Sequence, residues 1–184
     1  MESYILKDKV SSEICDLMIE HWEKNSSKSK FDKFRGYHRL LDRSIEDQSV
    51  INRYNTELKI IEQKYRKKYP YINQGSDWGL MSPFNIQKYD PGHAYNPIHI
   101  EDGGPRDNKY QRLLAFTTYL KDVNEGGETE FPLHGIKVQP QKGLTIIWPA
   151  GWTHPHRGIP APNETKYIVT GWFSYYFKGK EIKS

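Results

Sequence analysis

The chain carries one cysteine, Cys15, in 184 residues. A single thiol can neither close an internal disulfide nor build a thiolate zinc cluster within one chain, so a reducing, cytoplasmic setting is expected. Long apolar runs are missing as well. No stretch approaches the roughly 20 apolar residues that span a bilayer, and Met1-Glu2-Ser3 does not begin the basic-then-apolar run of a secretory leader. No membrane partner is therefore expected. A strong charge of one sign is also lacking, since the net charge is only +4. Its lysines, scattered over the N-terminal part and the tail from Lys178 to Lys183, read as a solvated face, and no nucleic-acid partner is expected. The basic stretch from Lys59 to Lys68 is the one place where a nucleic-acid surface could be argued. Aromatics are abundant: 13 Tyr, 7 Phe and 5 Trp are too many for a disordered chain. One domain over 1–184 suits this length.

Val10, Ile14, Leu17, Met18 and Trp22 recur at the spacing of one helix face, with Ser11 and Ser12 as N-cap candidates. The polar run Lys24 to Lys30 ends that helix. Val50, Tyr54, Leu58, Ile61, Tyr65 and Tyr69 mark a second, stopped by Pro70. Segment 1–75 thus reads as a helical buttress. From Trp78 the texture changes to short runs of β-branched and aromatic residues. These are Phe84 to Tyr89, Ile98 to Glu101, Leu113 to Leu120, Thr129 to Phe131, Ile136 to Val138, Leu144 to Trp148 and Tyr167 to Phe177. Turns such as Asp90-Pro91-Gly92 and Glu125-Gly126-Gly127 separate them, which predicts a sandwich or jelly roll. The fold class expected is mainly β with N-terminal helices, the sheet core spanning 78–177.

Chemistry concentrates around Pro97-Ile98-His99-Ile100-Glu101-Asp102. On a strand, His99 and Glu101 share a face and Asp102 takes the other, so one imidazole and one carboxylate can grip the same cation. A second His from a distant strand would complete the triad of non-haem Fe(II) oxygenases. The segment Trp148 to Pro160 offers His154 and His156. Ten residues after His156, Lys166 opens a strand and could pair with the remote carboxylate of a dicarboxylate cosubstrate. His21, His38 and His134 have no evident partner and read as structural or exposed.

Further elements stand in order between Phe84 and Tyr176. Tyr89, Pro91, Gly92 and Tyr95 precede His99; Arg112 leads into Thr118-Tyr119-Leu120; then comes Gly126-Gly127-Glu128-Thr129-Glu130-Phe131. Pro140 and Gly143 precede a hydrophobic strand, followed by His156-x-Gly158-x-Pro160, Lys166-Tyr167 and Trp172-Phe173. In this series the sequence resembles the iron(II) and 2-oxoglutarate-dependent dioxygenases, in their prolyl 4-hydroxylase-like branch.

The resemblance implies a double-stranded β-helix, cupin-like and buttressed by α-helices, with iron held by His99, Glu101 and His156. His154 is the fallback for His156. Lys166 would pair with the C5 carboxylate of 2-oxoglutarate, helped by Tyr119 and Thr170, with Tyr89 near the C1 end and Arg112 and Trp172 at pocket positions. The family's usual acidic ligand is Asp; here Glu101 stands in its place, and Asp102 could serve only through a bulge. The implied activity is hydroxylation of a C–H bond, foremost in a prolyl residue of a peptide or protein. It would consume O2, decarboxylate 2-oxoglutarate to succinate and CO2, and use L-ascorbate as a reductant. Hydroxylation of a free amino acid or other small molecule, or a catalytically silent binding module, are the alternatives. A groove between Trp78 and the loop Gly103 to Lys109 could admit an extended chain, with that loop as a lid or a solvated hairpin.

Overall fold

Ser11 caps the first helix, its hydroxyl accepting from the backbone N–H of Ile14 at 3.3 Å, as the sequence predicts. Helix α1 (Ser12–Lys24) then buries Ile14, Cys15, Met18 and Trp22 on one face, and α2 (Gln48–Lys68), capped by Asp47, buries Val50, Tyr54, Leu58, Ile61 and Tyr65. These assignments come from a computed structural model that describes residues 2–44, 47–102 and 111–175. The expected lid, Gly103 to Lys109, lies outside the described residues.

The strands are β1 (Leu6–Lys9), β2 (Lys30–Asp32), β3 (Tyr37–Leu41), β4 (Trp78–Leu80), β5 (Asn85–Tyr89), β6 (Arg112–Tyr119), β7 (Thr129–Phe131), β8 (Ile136–Val138), β9 (Leu144–Pro149), β10 (Arg157–Gly158) and β11 (Lys166–Tyr175). Eight form an antiparallel sheet in the order β1-β9-β6-β11-β5-β3-β2, with β4 also pairing β11; β10-β7-β8 form a smaller sheet. The architecture is a double-stranded β-helix with helices packed on the outer face of the larger sheet.

Segment 1–75 is less purely helical than the periodicity predicts, because it supplies β1, β2 and β3 to the large sheet. The polar run after α1 enters the β2–β3 hairpin, where Asp32 Oδ1 accepts from the N–H groups of Phe34 and Arg35. Strands of three to five residues studded with Lys, Arg and His leave too little alternation to read in advance. The Ile98 to Glu101 run likewise forms only a one-residue bridge, His99 to His156, in keeping with Pro97, which has no N–H to extend a ladder.

Alternation along the long strands divides the core. On β6, Leu114 and Phe116 join Val169, Phe173 and the helices, whereas Ala115 and Tyr119 face the smaller sheet with Ile168, Trp148 and Phe131. A polar thread crosses the first layer: Tyr54 Oη lies 2.8 Å from Thr118 Oγ1, which lies 2.7 Å from Thr145 Oγ1. Gly171 on β11 is required by close approach, since an added Cβ would stand 2.7 Å from Phe84 Cβ and 2.9 Å from Phe116 Cε1. Trp78 is not a groove wall. It is 4% exposed, its Nε1 donates to Ile72 O at 3.2 Å, and the Arg66 guanidinium lies 3.4 Å from its ring centroid. Among the described residues no helix is long and apolar enough to cross a membrane.

Candidate metal centre and pocket

The His99–His156 bridge brings two residues distant in sequence side by side. Each backbone N–H donates to the other's carbonyl, at 3.0 and 2.9 Å. In the side chains, His99 Nδ1 meets Pro97 O at 2.9 Å and His156 Nδ1 meets His154 O at 3.0 Å. A carbonyl only accepts, so Nδ1 donates in both rings and Nε2 is the atom left to face the carboxylate, a donor to it when the ring is protonated and a metal ligand when it is not. Both Nε2 atoms converge on Glu101 Oε1, at 3.7 Å from His99 and 3.3 Å from His156.

Glu101 is fixed from its backbone outward. Its N–H and that of Asp102 both donate to Ala150 O, at 3.1 and 2.9 Å, and Arg112 Nη1 donates to the Glu101 carbonyl at 2.7 Å. Glu101 Oε2 accepts from Trp172 Nε1 at 2.7 Å and from Arg112 Nη1 at 3.4 Å. Burial pushes its carboxyl up, but the hydrogen bonds and charges of His156 and His99 outweigh that and hold it well below the usual carboxylate range. These three side chains are the group that could hold a metal ion among the described residues. Two imidazoles and one carboxylate, each with its remaining polar atoms engaged, are the donor set that suits Fe(II). Neither Asp102 nor His154 joins them. His154 turns away, with Nε2 at 2.7 Å from Ser3 O and its ring stacked 4.5 Å from His134.

The three face a pocket of about 210 Å³. Strand alternation sends Lys166, Ile168, Thr170 and Trp172 of β11 into it, together with Asn85, Gln87 and Tyr89 of β5 and Thr117 of β6. Lys166 is 6% exposed, and its Nζ donates to Gly127 O at 2.7 Å. Its Nζ also lies 5.5 and 5.7 Å from the ring centroids of Tyr89 and Tyr119. Among the described residues no carboxylate forms an ion pair with it. Burial therefore pulls its pKa down to about 8, against a weak opposing pull from Glu128. The carbonyl is aimed by the Gly126-Gly127 turn, both residues at positive φ, where a Cβ on Gly126 would sit 2.2 Å from Pro160 O.

Tyr119 Oη donates to Thr129 Oγ1 at 2.6 Å, and Thr170 Oγ1 donates to Phe116 O at 2.9 Å. Tyr89 Oη donates to Gln87 Oε1 at 2.8 Å, and Tyr89 pairs with Lys166 across β5 and β11. The Tyr95 ring lies tilted against that of His99, with centroids 4.4 Å apart. The pocket also takes Arg35 and Tyr37 from the β2–β3 hairpin, and Trp148. Asn85 and Gln87 were legible in principle as polar residues two apart in an apolar run; Arg35 and Tyr37 carry no local signal. The basic stretch of α2 is largely occupied within the fold: Lys59 and Arg66 both pair with buried Glu62, and Lys64 pairs with Asp8.

Fold and centre together define a jelly-roll protein with a two-histidine, one-carboxylate group that could hold a metal ion. Comparison with known proteins narrows the class. The family model for the 2OG-Fe(II) oxygenase superfamily matches residues 84–174. A curated relative, probable prolyl 4-hydroxylase 9 of Arabidopsis thaliana, is 31% identical over 115 residues, covering 48% of this chain and 39% of the relative. The chain thus spans about two fifths of that relative's length. Among solved structures, the viral collagen prolyl hydroxylase of Paramecium Bursaria Chlorella virus-1, in its 2OG complex, superposes with a TM-score of 0.72 at 22% identity, over 94% of this chain and 96% of that one. A Pseudomonas putida prolyl-4-hydroxylase does so with a TM-score of 0.72 at 16% identity, over 94% and 93%. Residues 84–174 thus carry the 2OG-Fe(II) oxygenase pattern, and the chain shares its fold with these prolyl hydroxylase structures.

Proposed function

We propose that the chain is an Fe(II)/2-oxoglutarate-dependent dioxygenase that hydroxylates a prolyl residue of a peptide or protein. The observation that carries this reading is one pocket holding both the convergent Nε2, Oε1 and Nε2 atoms and a buried lysine that no carboxylate among the described residues pairs with. His99, Glu101 and His156 would hold the ion, and Lys166 the far carboxylate of 2-oxoglutarate, with Tyr89 and Thr170 along the walls and Tyr119 behind Lys166. When bound, the ion and cosubstrate supply O2 activation coupled to decarboxylation of 2-oxoglutarate to succinate and CO2. The protein's own part is positioning and exclusion of water. Trp148, Tyr89, Tyr95 and Trp172 line the chamber with rings, and the Nδ1 bonds of both His fix the orientation in which Nε2 points inward. Glu101 in place of Asp does not open the site, since its Oε1 meets both imidazoles, which argues against a silent module.

The names of the relatives favour prolyl substrates over free amino acids. L-Ascorbate as reductant and a cytoplasmic setting belong to the same proposal, the latter on the single buried Cys15. Mass spectrometry of proline-containing peptides and free amino acids, incubated with the protein, Fe(II), 2-oxoglutarate and O2, tests it. A gain of one oxygen on a prolyl residue is expected. Oxidation of free amino acids with no peptide modified would replace the substrate class, and no oxidation of any substrate would contradict the reading.

A further inference from the structure

We propose that this metal centre is built for glutamate: Trp172, backed by Arg112, holds the second carboxylate oxygen of Glu101 so that only one oxygen is presented between the imidazoles. The inference rests on reading His99, Glu101 and His156 as metal ligands. Glutamate has one more rotatable bond than aspartate, so an unheld arm would lose more freedom on binding an ion. Here the arm is held at both ends. The Ala150 carbonyl and Arg112 secure the backbone, and Trp172 Nε1 at 2.7 Å secures Oε2, leaving Oε1 at 3.3 and 3.7 Å from the two Nε2 atoms.

The clamp has a division of labour. An indole N–H is a donor only, so it can engage Oε2 without competing for the ion. Arg112 makes its shorter bond to the Glu101 carbonyl, 2.7 Å against 3.4 Å to Oε2, and its guanidinium lies 3.6 Å from the Trp172 ring centroid. It thereby fixes the Glu101 backbone and the indole together. An aspartate on the same backbone would fall short by about one C–C bond, roughly 1.5 Å. It could not both reach Trp172 and stay between the imidazoles. Trp172 is on this account a positioning residue acting through Glu101.

Mn(II) titration of the purified chain without cosubstrate, read by the EPR signal of the free ion, tests the clamp. Far-UV circular dichroism and thermal unfolding serve as fold controls. Trp172→Phe, which keeps a ring and removes the donor, should weaken Mn(II) binding about 10–100-fold, and Trp172→His, which restores a ring N–H, should recover part of the loss. Glu101→Asp should also bind Mn(II) less tightly than the wild type, or not measurably; where it still binds, adding Trp172→Phe should cost under about twofold. The clamp is overturned if Trp172→Phe binds as the wild type does, if it costs the same factor in both backgrounds, or if Glu101→Asp binds as tightly as Glu101. Should Trp172→Phe fail to fold, the Glu101→Asp comparison decides alone. A wild-type chain that takes up no Mn(II) would fail differently, removing the ligand assignment and the clamp together.

Discussion

Lys166 Nζ donates to the carbonyl oxygen of Gly127 at 2.7 Å, at a pocket edge where the rings of Tyr89 and Tyr119 stand 5.5 and 5.7 Å away. A backbone carbonyl satisfies one of three ammonium donors and none of the charge. This cation is consequently a cost to the ligand-free fold and an attraction for a dianionic ligand.

The cost has a pH signature. Burial lowers the Lys166 pKa from 10.5 to about 8. Below pH 8 the folded and unfolded chains both carry the proton. Between about 8 and 10.5 the unfolded chain keeps it and the folded chain loses it, so stability rises with pH by at most about 3 kcal/mol. Lys166→Met lacks this titration. Denaturant unfolding of both proteins at pH 8 and pH 10, without ligand, should show the wild type gaining on the variant; a difference independent of pH would contradict the buried charge.

The attraction has a kinetic signature. Lys166→Ala removes a charge-assisted pair worth about 1.5–3 kcal/mol. The 2-oxoglutarate concentration for half-maximal turnover should therefore rise about 10–150-fold. An unchanged requirement in a folded variant would move the C5 carboxylate elsewhere in the pocket.

The two neighbouring histidines should separate cleanly. His156→Ala and His99→Ala each remove one of the three converging atoms and should abolish metal-dependent 2-oxoglutarate decarboxylation. His154→Ala breaks the contact with Ser3 O and the stack on His134, and should leave most of the activity at some loss of thermal stability. Activity lost in His154→Ala and kept in His156→Ala would reverse the assignment.

Gly171→Ala probes the packing beneath the site. The added Cβ meets Phe84 and Phe116 at less than 3.0 Å, an overpacking expected to destabilise by about 1–3 kcal/mol. Equilibrium unfolding in urea measures it, and a change within about 0.5 kcal/mol would show that the two rings give way.

Much of this was legible because period-two alternation is strong in long, buried strands. The split of Leu114 and Phe116 from Ala115 and Tyr119 follows from the sequence of β6; His99 and Glu101 come together although their segment forms no strand, only the single bridge to His156. The choice of His156 over His154 rests on the resemblance around Gly158, Pro160 and Lys166; the structure brings His156 beside His99 and Glu101 and ties His154 to Ser3. Strands β2 and β3 were hidden by their shortness and charge, and with them Arg35 and Tyr37, which only topology carries to the pocket. The Trp172–Glu101 bond was equally out of reach, because it joins residues 71 apart in sequence. Trp78 misled for a related reason: an aromatic at the border between helical and strand-rich texture can face either way.

One measurement bears on the central claim most directly: succinate formed from 2-oxoglutarate by the wild-type chain with Fe(II) and O2, beside His156→Ala under the same conditions. Iron-dependent succinate from the wild type and none above background from the variant is the predicted result. No succinate from a folded, iron-loaded wild type in the presence of proline-containing peptides, or equal amounts from both proteins, would contradict it.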